Sequence, residues 1–241
     1  MSADPPANAP PLKPSAKRRW WKWPLVIVVL ALLIFVFRQA ILGGIVSLLV
    51  VDETVQPADY LLIMGGDRSE EKAADLYHRG IVSGVVIFEF EPGRLQRMKI
   101  LPTHAAFLVK QLKKRQIPEA AIVVVPAQAK SGWDGVRALD EWLATRPKGT
   151  RVLISCERLD SRRLASVLDR TLSDEHRENV SLCPLTHRYF DESNWWHRKE
   201  GVIGVFHLTF RLGYLCLIGE DKTAWREWEP DDYEALLKSA G

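Results

Sequence analysis

A glycine pair followed at once by an acid and a base, Gly65-Gly66-Asp67-Arg68, is the stretch of this sequence richest in possible chemistry. Glycine accepts backbone angles that other residues avoid, so the pair can turn the chain tightly. A helix starting just beyond such a turn presents unpaired N–H groups, which suit an anion. Asp67 or Ser69 can cap that helix, and Glu70 and Glu71 suit the positive end of its dipole. A second group, Ser155, Arg158 and Arg162, follows about ninety residues later, with Cys156, Glu157 and Arg163 interleaved. Guanidinium groups pair with phosphate or carboxylate oxygens through two parallel hydrogen bonds. The residues expected to bind a ligand are therefore Gly65, Gly66, Arg68, Ser155, Arg158 and Arg162. Asp67, Glu89 and Glu157 are carboxylates that could serve as a base or hold a metal, with Asp67 and Glu89 the weak candidates for catalysis.

Each of these has a plainer alternative. A glycine turn between strand and helix is ordinary in α/β proteins, and arginines opening a helix are often only solvated charges. His187 reads as a loop histidine, and the six histidines show no metal-ligand spacing. Ser155-Cys156 does not sit in a nucleophile elbow. Cys156, Cys183 and Cys216 are far apart and odd in number, so buried free thiols are expected. No motif names a cofactor, and no metal is expected.

Alternating strands and helices must position these groups. Short apolar runs predict strands over about 59–64, 84–90, 121–125, 151–155 and 179–183. Helices are expected near 69–79, 102–116, 131–146, 160–172 and 194–217. Continuous runs such as Ala121-Ile122-Val123-Val124-Val125 suit strands covered on both faces. The pattern implies an α/β, Rossmann-like, doubly wound and mainly parallel sheet, preceded by one N-terminal transmembrane helix. Ligands of such sheets bind beyond the carboxyl ends of the strands. The residues just listed all follow strands, as do Glu91, Gln128, Lys130, Ser131, Thr186, His187 and Arg188.

Residues 1–19 form a basic, Pro- and Ala-rich tail expected to be disordered and cytoplasmic. Lys17-Arg18-Arg19-Trp20-Trp21-Lys22-Trp23 then leads into an uninterrupted apolar run from Pro24 to Phe37. Basic residues, tryptophans and an apolar run in that order predict a membrane helix entering from the cytoplasm, within residues 20–49 and ending between Phe37 and Leu49. A cleaved signal peptide is the competing reading, but the basic region is long and no small-x-small cleavage site follows. The α/β domain, residues 50–220, then lies outside the inner membrane, and 221–241 is a charged tail. Net charge is +3, and Lys13, Lys17, Arg18, Arg19 and Lys22 in the tail account for more than that excess. The folded part is near neutral, which argues against nucleic acid as a partner. The apolar Asn194–Ile218 stretch is expected to pack on the sheet or lean on the membrane surface, and Trp195-Trp196 to pack it there.

Several of these features together resemble the domain of unknown function 218, the YdcF/SanA/ElyC-like envelope proteins. They are the membrane segment, Pro57-Ala58-Asp59-Tyr60 entering a strand, Gly65-Gly66, and Ala73-Ala74-Asp75-Leu76-Tyr77 with Gly80. Ser155 with Arg162, and Asn194-Trp195-Trp196 with Glu200-Gly201, complete the set. The sequence departs from that family at three loops. Phe88-Glu89-Phe90 stands in place of a Ser-Gly-Gly turn, Ala129 to Gly135 keeps only Asp134 of an Asn-Thr-x-x-Glu-Asn pattern, and Leu159 stands where a histidine is usual. The resemblance implies a membrane-anchored Rossmann-like fold in peptidoglycan or lipid-carrier metabolism. Three functions follow as expectations: binding of a phosphorylated or anionic envelope metabolite, a hydrolase or transferase acting on one, or non-catalytic docking to a protein partner.

Overall fold

The computed structural model describes residues 22–127 and 132–219. The chain divides into two units, Met1–Gly43 and Gly44–Gly241. In the first, helix α1 (Lys22–Ser47) begins; it is apolar apart from Lys22, Arg38, Gln39 and Ser47, and side chains such as Leu25, Ile27 and Phe35 are exposed. A helix that is hydrophobic on every side belongs in a core or a membrane. It meets the length and hydropathy of a span only when the bent pair Trp23–Leu33 and Phe35–Ser47 is taken together, whereas a C-terminal helix, Lys199–Ile218, meets them alone.

The second unit is built on five parallel strands, β1 (Ala58–Ile63), β2 (Val82–Glu89), β3 (Ile122–Pro126), β4 (Val152–Glu157) and β5 (Val180–Leu185), in the order β3-β2-β1-β4-β5. Val85, Val86, Ile87 and Phe88 are all buried, so the central strands read as continuous apolar runs because helices cover both faces. On one face lie α2 (Ser69–His78) and α4 (His104–Lys114), which insert Ala73, Leu76, Leu108 and Leu112. On the other lie α5 (Gly132–Ala144) and α6 (Ser161–Thr171), which insert Val136, Leu139, Val167 and Leu168. A right-handed crossover at every strand forces this arrangement, with the winding direction reversing between β1 and β4.

All five expected strands are present within a residue or two. The expected helix over 194–217 is shorter at its start: α8 begins at Lys199 and runs to Ile218. Arg198 is extended, so Trp195–His197 form a separate 3-10 turn. Two short helices were not foreseen, α3 (Arg94–Arg97) and α7 (Asp174–Arg177), each about one turn and too short for a periodic pattern. Cys156 and Cys183 are buried free thiols as expected, but Cys216, near the end of α8, is exposed. The readings placed on residues 1–21, on Gln128, Lys130 and Ser131, and on the tail beyond Gly219 lie outside the described residues.

Between α1 and β1 the chain is strapped to the domain. The Leu49 carbonyl accepts from Arg162 N–H at 3.0 Å, and Val51 N–H donates to Ser161 Oγ at 2.9 Å. The Glu53 carboxylate accepts the outward N–H of Leu182 at 2.6 Å. That last bond covers part of β5, an edge strand whose free N–H groups would otherwise invite pairing with another chain.

Candidate functional site

The reversal of strand order puts the ends of β1 and β4 side by side, and the crevice above them is where an open α/β sheet binds its ligand. β1 leads into Gly65-Gly66-Asp67-Arg68, and β4 ends in Ser155-Cys156-Glu157. The two loops touch: Ser155 is fully buried and its Oγ donates to the Gly65 carbonyl at 3.1 Å. The hydroxyl therefore holds the turn and does not face a ligand. Gly66 has φ +97°, a conformation natural to glycine. A side chain there would meet Leu185 Cδ1 at 2.9 Å and the Cys156 carbonyl oxygen at 3.1 Å, so protein fills that flank. The flank of Gly65 is open.

Asp67 does not cap α2, and neither does Ser69, which is buried as the first helical residue. The cap position falls on Arg68, in the left-handed region at φ 59°, without a side-chain cap. Asp67 is taken instead by Arg188 from the loop after β5. Nη2 and Nε of Arg188 donate to its two oxygens at 2.6 and 2.7 Å, and the Arg188 N–H donates at 3.0 Å. These hydrogen bonds hold the Asp67 carboxyl down at about 2. The clasp ties the loop after β1 to the loop after β5 across the end of β4.

The arginines expected to cradle an anion are occupied. Arg68 pairs with Glu71, one turn along α2. Arg158 pairs with Glu192 through Nε and with Asp52 at 2.6 Å. Arg162 Nη2 donates to the Val50 carbonyl at 2.9 Å. Arg163 donates to both oxygens of Asp160. The structure brings together Gly65, Gly66, Asp67 and Ser155 at the crevice, but it directs Arg158 and Arg162 to the strap. Glu89 lies apart, at the end of β2, where Thr103 Oγ1 donates to it at 3.0 Å while also capping α4 through Ala106 N–H at 3.2 Å.

His187 and Arg188 are the residues at this edge that sequence reasoning left out of the site. His187 stacks on Phe190 with ring centroids 4.2 Å apart, next to Glu157. Burial pushes the Glu157 carboxyl up from its ordinary range. The signal for His187 and Arg188 was position alone, just after strand five. The cavity lined by Glu157, Arg158, Thr186, His187 and Phe190 measures about 10 Å³. That is room for about one water, whereas small-molecule sites run to roughly 300–1,000 Å³. A shallow groove of about 770 Å³ lies elsewhere, between α4 and the edge strand β3, lined by Glu89, Val109, Lys110, Lys113, Lys114 and Val124. Among the described residues no group of three or more His, Cys, Asp and Glu side chains could hold a metal ion.

Compared with known proteins, the chain matches no family model, no curated protein and no solved structure.

Proposed function

We propose that this chain is a membrane-tethered, Rossmann-like module of the cell envelope, a divergent relative of the YdcF/SanA/ElyC-like proteins, that acts by docking and not by catalysis. In this reading α1 crosses the inner membrane, the basic tail stays in the cytoplasm, and the domain after residue 50 lies outside. The observation that carries the docking reading is the consumption of the crevice arginines. Arg68, Arg158 and Arg162 each pair with a carboxylate or carbonyl of the chain itself, and the cavity beside Arg158 holds about 10 Å³. The altered family loops at Glu89 and Leu159 point the same way. The 3-10 turn carrying Trp195 and half-buried Trp196 is the docking surface in this reading.

The test uses the full chain in nanodiscs. Titration with inorganic pyrophosphate and with a short polyprenyl phosphate should give no saturable binding, in wild type or in Arg162→Ala. A photo-cross-linker in place of Trp196 should give discrete protein adducts in cells, and one in place of Arg68 should not. Tight polyprenyl phosphate binding that Arg68→Ala and Arg162→Ala abolish would refute docking and restore the anion cradle.

A second reading rests on the groove beside β3. Its volume suits a small molecule, and Lys110, Lys113 and Lys114 line it. An anionic metabolite would then bind against α4 and not over Gly65-Gly66. Lys110→Ala with Lys114→Ala should abolish pyrophosphate binding if it does.

A further inference from the structure

We propose that α8 is a second membrane contact, lying along the bilayer with its outer face in the acyl region while its inner face stays on the domain. This rests on the tether reading for α1.

The helix is apolar on two opposite sides. At 100° per residue, Gly201, Val205, Leu208 and Leu215 fall on one face, and Ile203, Phe206, Phe210 and Leu217 fall roughly 180° away. The first set is buried. Leu215 joins the core, its carbonyl accepts from Arg170 Nη1 of α6 at 3.0 Å, and Gly201 is pressed so closely on the Trp195 backbone that no larger side chain fits. The inner face is thus fixed in place. The outer face is bare: Phe210 is 79% exposed and Leu217 88%. One stray apolar residue on a surface means nothing, but a stripe along a 20-residue helix does.

The occupant follows from where the chain emerges. α1 ends at Ser47, and Leu49 is already bonded to Arg162 at the start of α6. Two residues of chain reach about 7 Å at most. The chain that leaves α1 is therefore gripped by the start of α6 within two residues of Ser47. α8 packs on α6 and on the 3-10 turn Arg158–Asp160 before it, the elements that grip residues 49–52. The bare stripe is carried by a helix that packs on the same elements that grip the chain emerging from α1. The helix is long and apolar enough to cross a membrane by length and composition. Of the polar residues on α8, exposed His207 and Arg211 lie together on one flank of the stripe, and Thr209 on the other flank satisfies its hydroxyl on the Val205 carbonyl at 2.7 Å. An apolar helix face lying in the membrane interface settles about 5–10 Å into the boundary between headgroups and acyl chains.

The experiment places an environment-sensitive thiol dye at Phe210→Cys in a Cys216→Ser background. It uses the full chain in vesicles of phosphatidylethanolamine and phosphatidylglycerol doped with acyl-chain nitroxide lipid. Val28→Cys in α1 reports the tether, and Lys148→Cys, on the turn before β4, reports the solvent-facing domain. We expect quenching at Phe210 close to that at Val28 and several-fold above that at Lys148. Quenching at Val28 without quenching at Phe210 overturns the α8 contact and leaves the tether standing. Absence at both overturns the tether and the proposal together. A blue shift at Phe210 that needs high protein density and shows no nitroxide quenching assigns the face to a second copy and also overturns the proposal.

Discussion

Breaking the Asp67–Arg188 clasp should loosen the loop after β5 and lower stability in a pH-dependent way. The perturbation is Asp67→Asn, which keeps the shape and one acceptor for the Arg188 N–H but removes the charge. The carboxyl is held at about 2 against an ordinary 3.8, mainly by the Arg188 side-chain hydrogen bonds. At 1.36 kcal/mol per pK unit the difference has a ceiling of about 2.5 kcal/mol. Arg188 is 46% exposed, so solvent screens much of this. The two-pronged geometry keeps the pair at the upper end of exposed ion pairs, and about 1 kcal/mol is the working figure. A carboxyl whose folded value is depressed stabilises fully above its unfolded value. That stabilisation fades as pH falls from about 4 toward 2.

The assay is a double-mutant cycle, Asp67→Asn with Arg188→Gln, read by urea unfolding of the full chain in micelles. With a slope of about 2 kcal/mol per molar urea, the single substitutions should shift the midpoint by roughly half a molar at pH 7. The coupling should shrink at pH 2 and in molar salt, where the Debye length falls to about 3 Å. Hydrogen exchange should rise in residues 186–194 and stay unchanged in β1 and β4. A coupling under about 0.2 kcal/mol, or one equally large at pH 2, would refute the reasoning, since neither fits a charged clasp.

Gly66→Ala should destabilise by about 1–3 kcal/mol, checked by the same urea midpoint, because φ +97° and the contact with Leu185 leave no place for a methyl. Ser155→Ala should cost about 1 kcal/mol by the same measurement, the net worth of a hydrogen bond within a buried site. Arg162→Ala should leave pyrophosphate titrations unchanged but speed limited proteolysis between residues 48 and 57, since its side chain holds the Val50 carbonyl. A thiol reagent should titrate one cysteine, Cys216, in the folded chain and three after denaturation. Burial pushes the Cys156 thiol up and shields Cys183 as well.

The sheet was legible because its signals are local. Runs such as Leu61-Leu62-Ile63 and Val85 to Phe88 carry strand identity in a handful of residues, and helices between them leave parallel pairing as the short solution. α8 was legible as an apolar helix, but its start was not, because the 3-10 turn at Trp195–His197 depends on packing against Gly201. Side-chain partners were the least legible. That Asp67 meets Arg188 rather than the start of α2 depends on a loop 121 residues away, which no local pattern encodes. Glu89 looked like a free carboxylate, yet Thr103 binds it to make the start of α4.

Arginines beside a glycine turn suggested an anion site, and the same residues turn out to fasten the chain. Arg158 holds Asp52, Arg162 holds Val50, and Ser161 holds Val51, so three residues after β4 grip three consecutive residues after α1. A guanidinium already given to one partner can serve a ligand only by exchange, and exchange here means releasing the strap. Ligand affinity would then be reduced by whatever free energy the strap supplies, at tenfold per 1.4 kcal/mol. An anion-binding domain gains nothing from that arrangement. In the docking reading proposed above, the strap shortens the free chain between α1 and β1. The residue types at the crevice suit an anion, whereas their hydrogen-bond partners lie within the chain itself, and the docking reading rests on those partners.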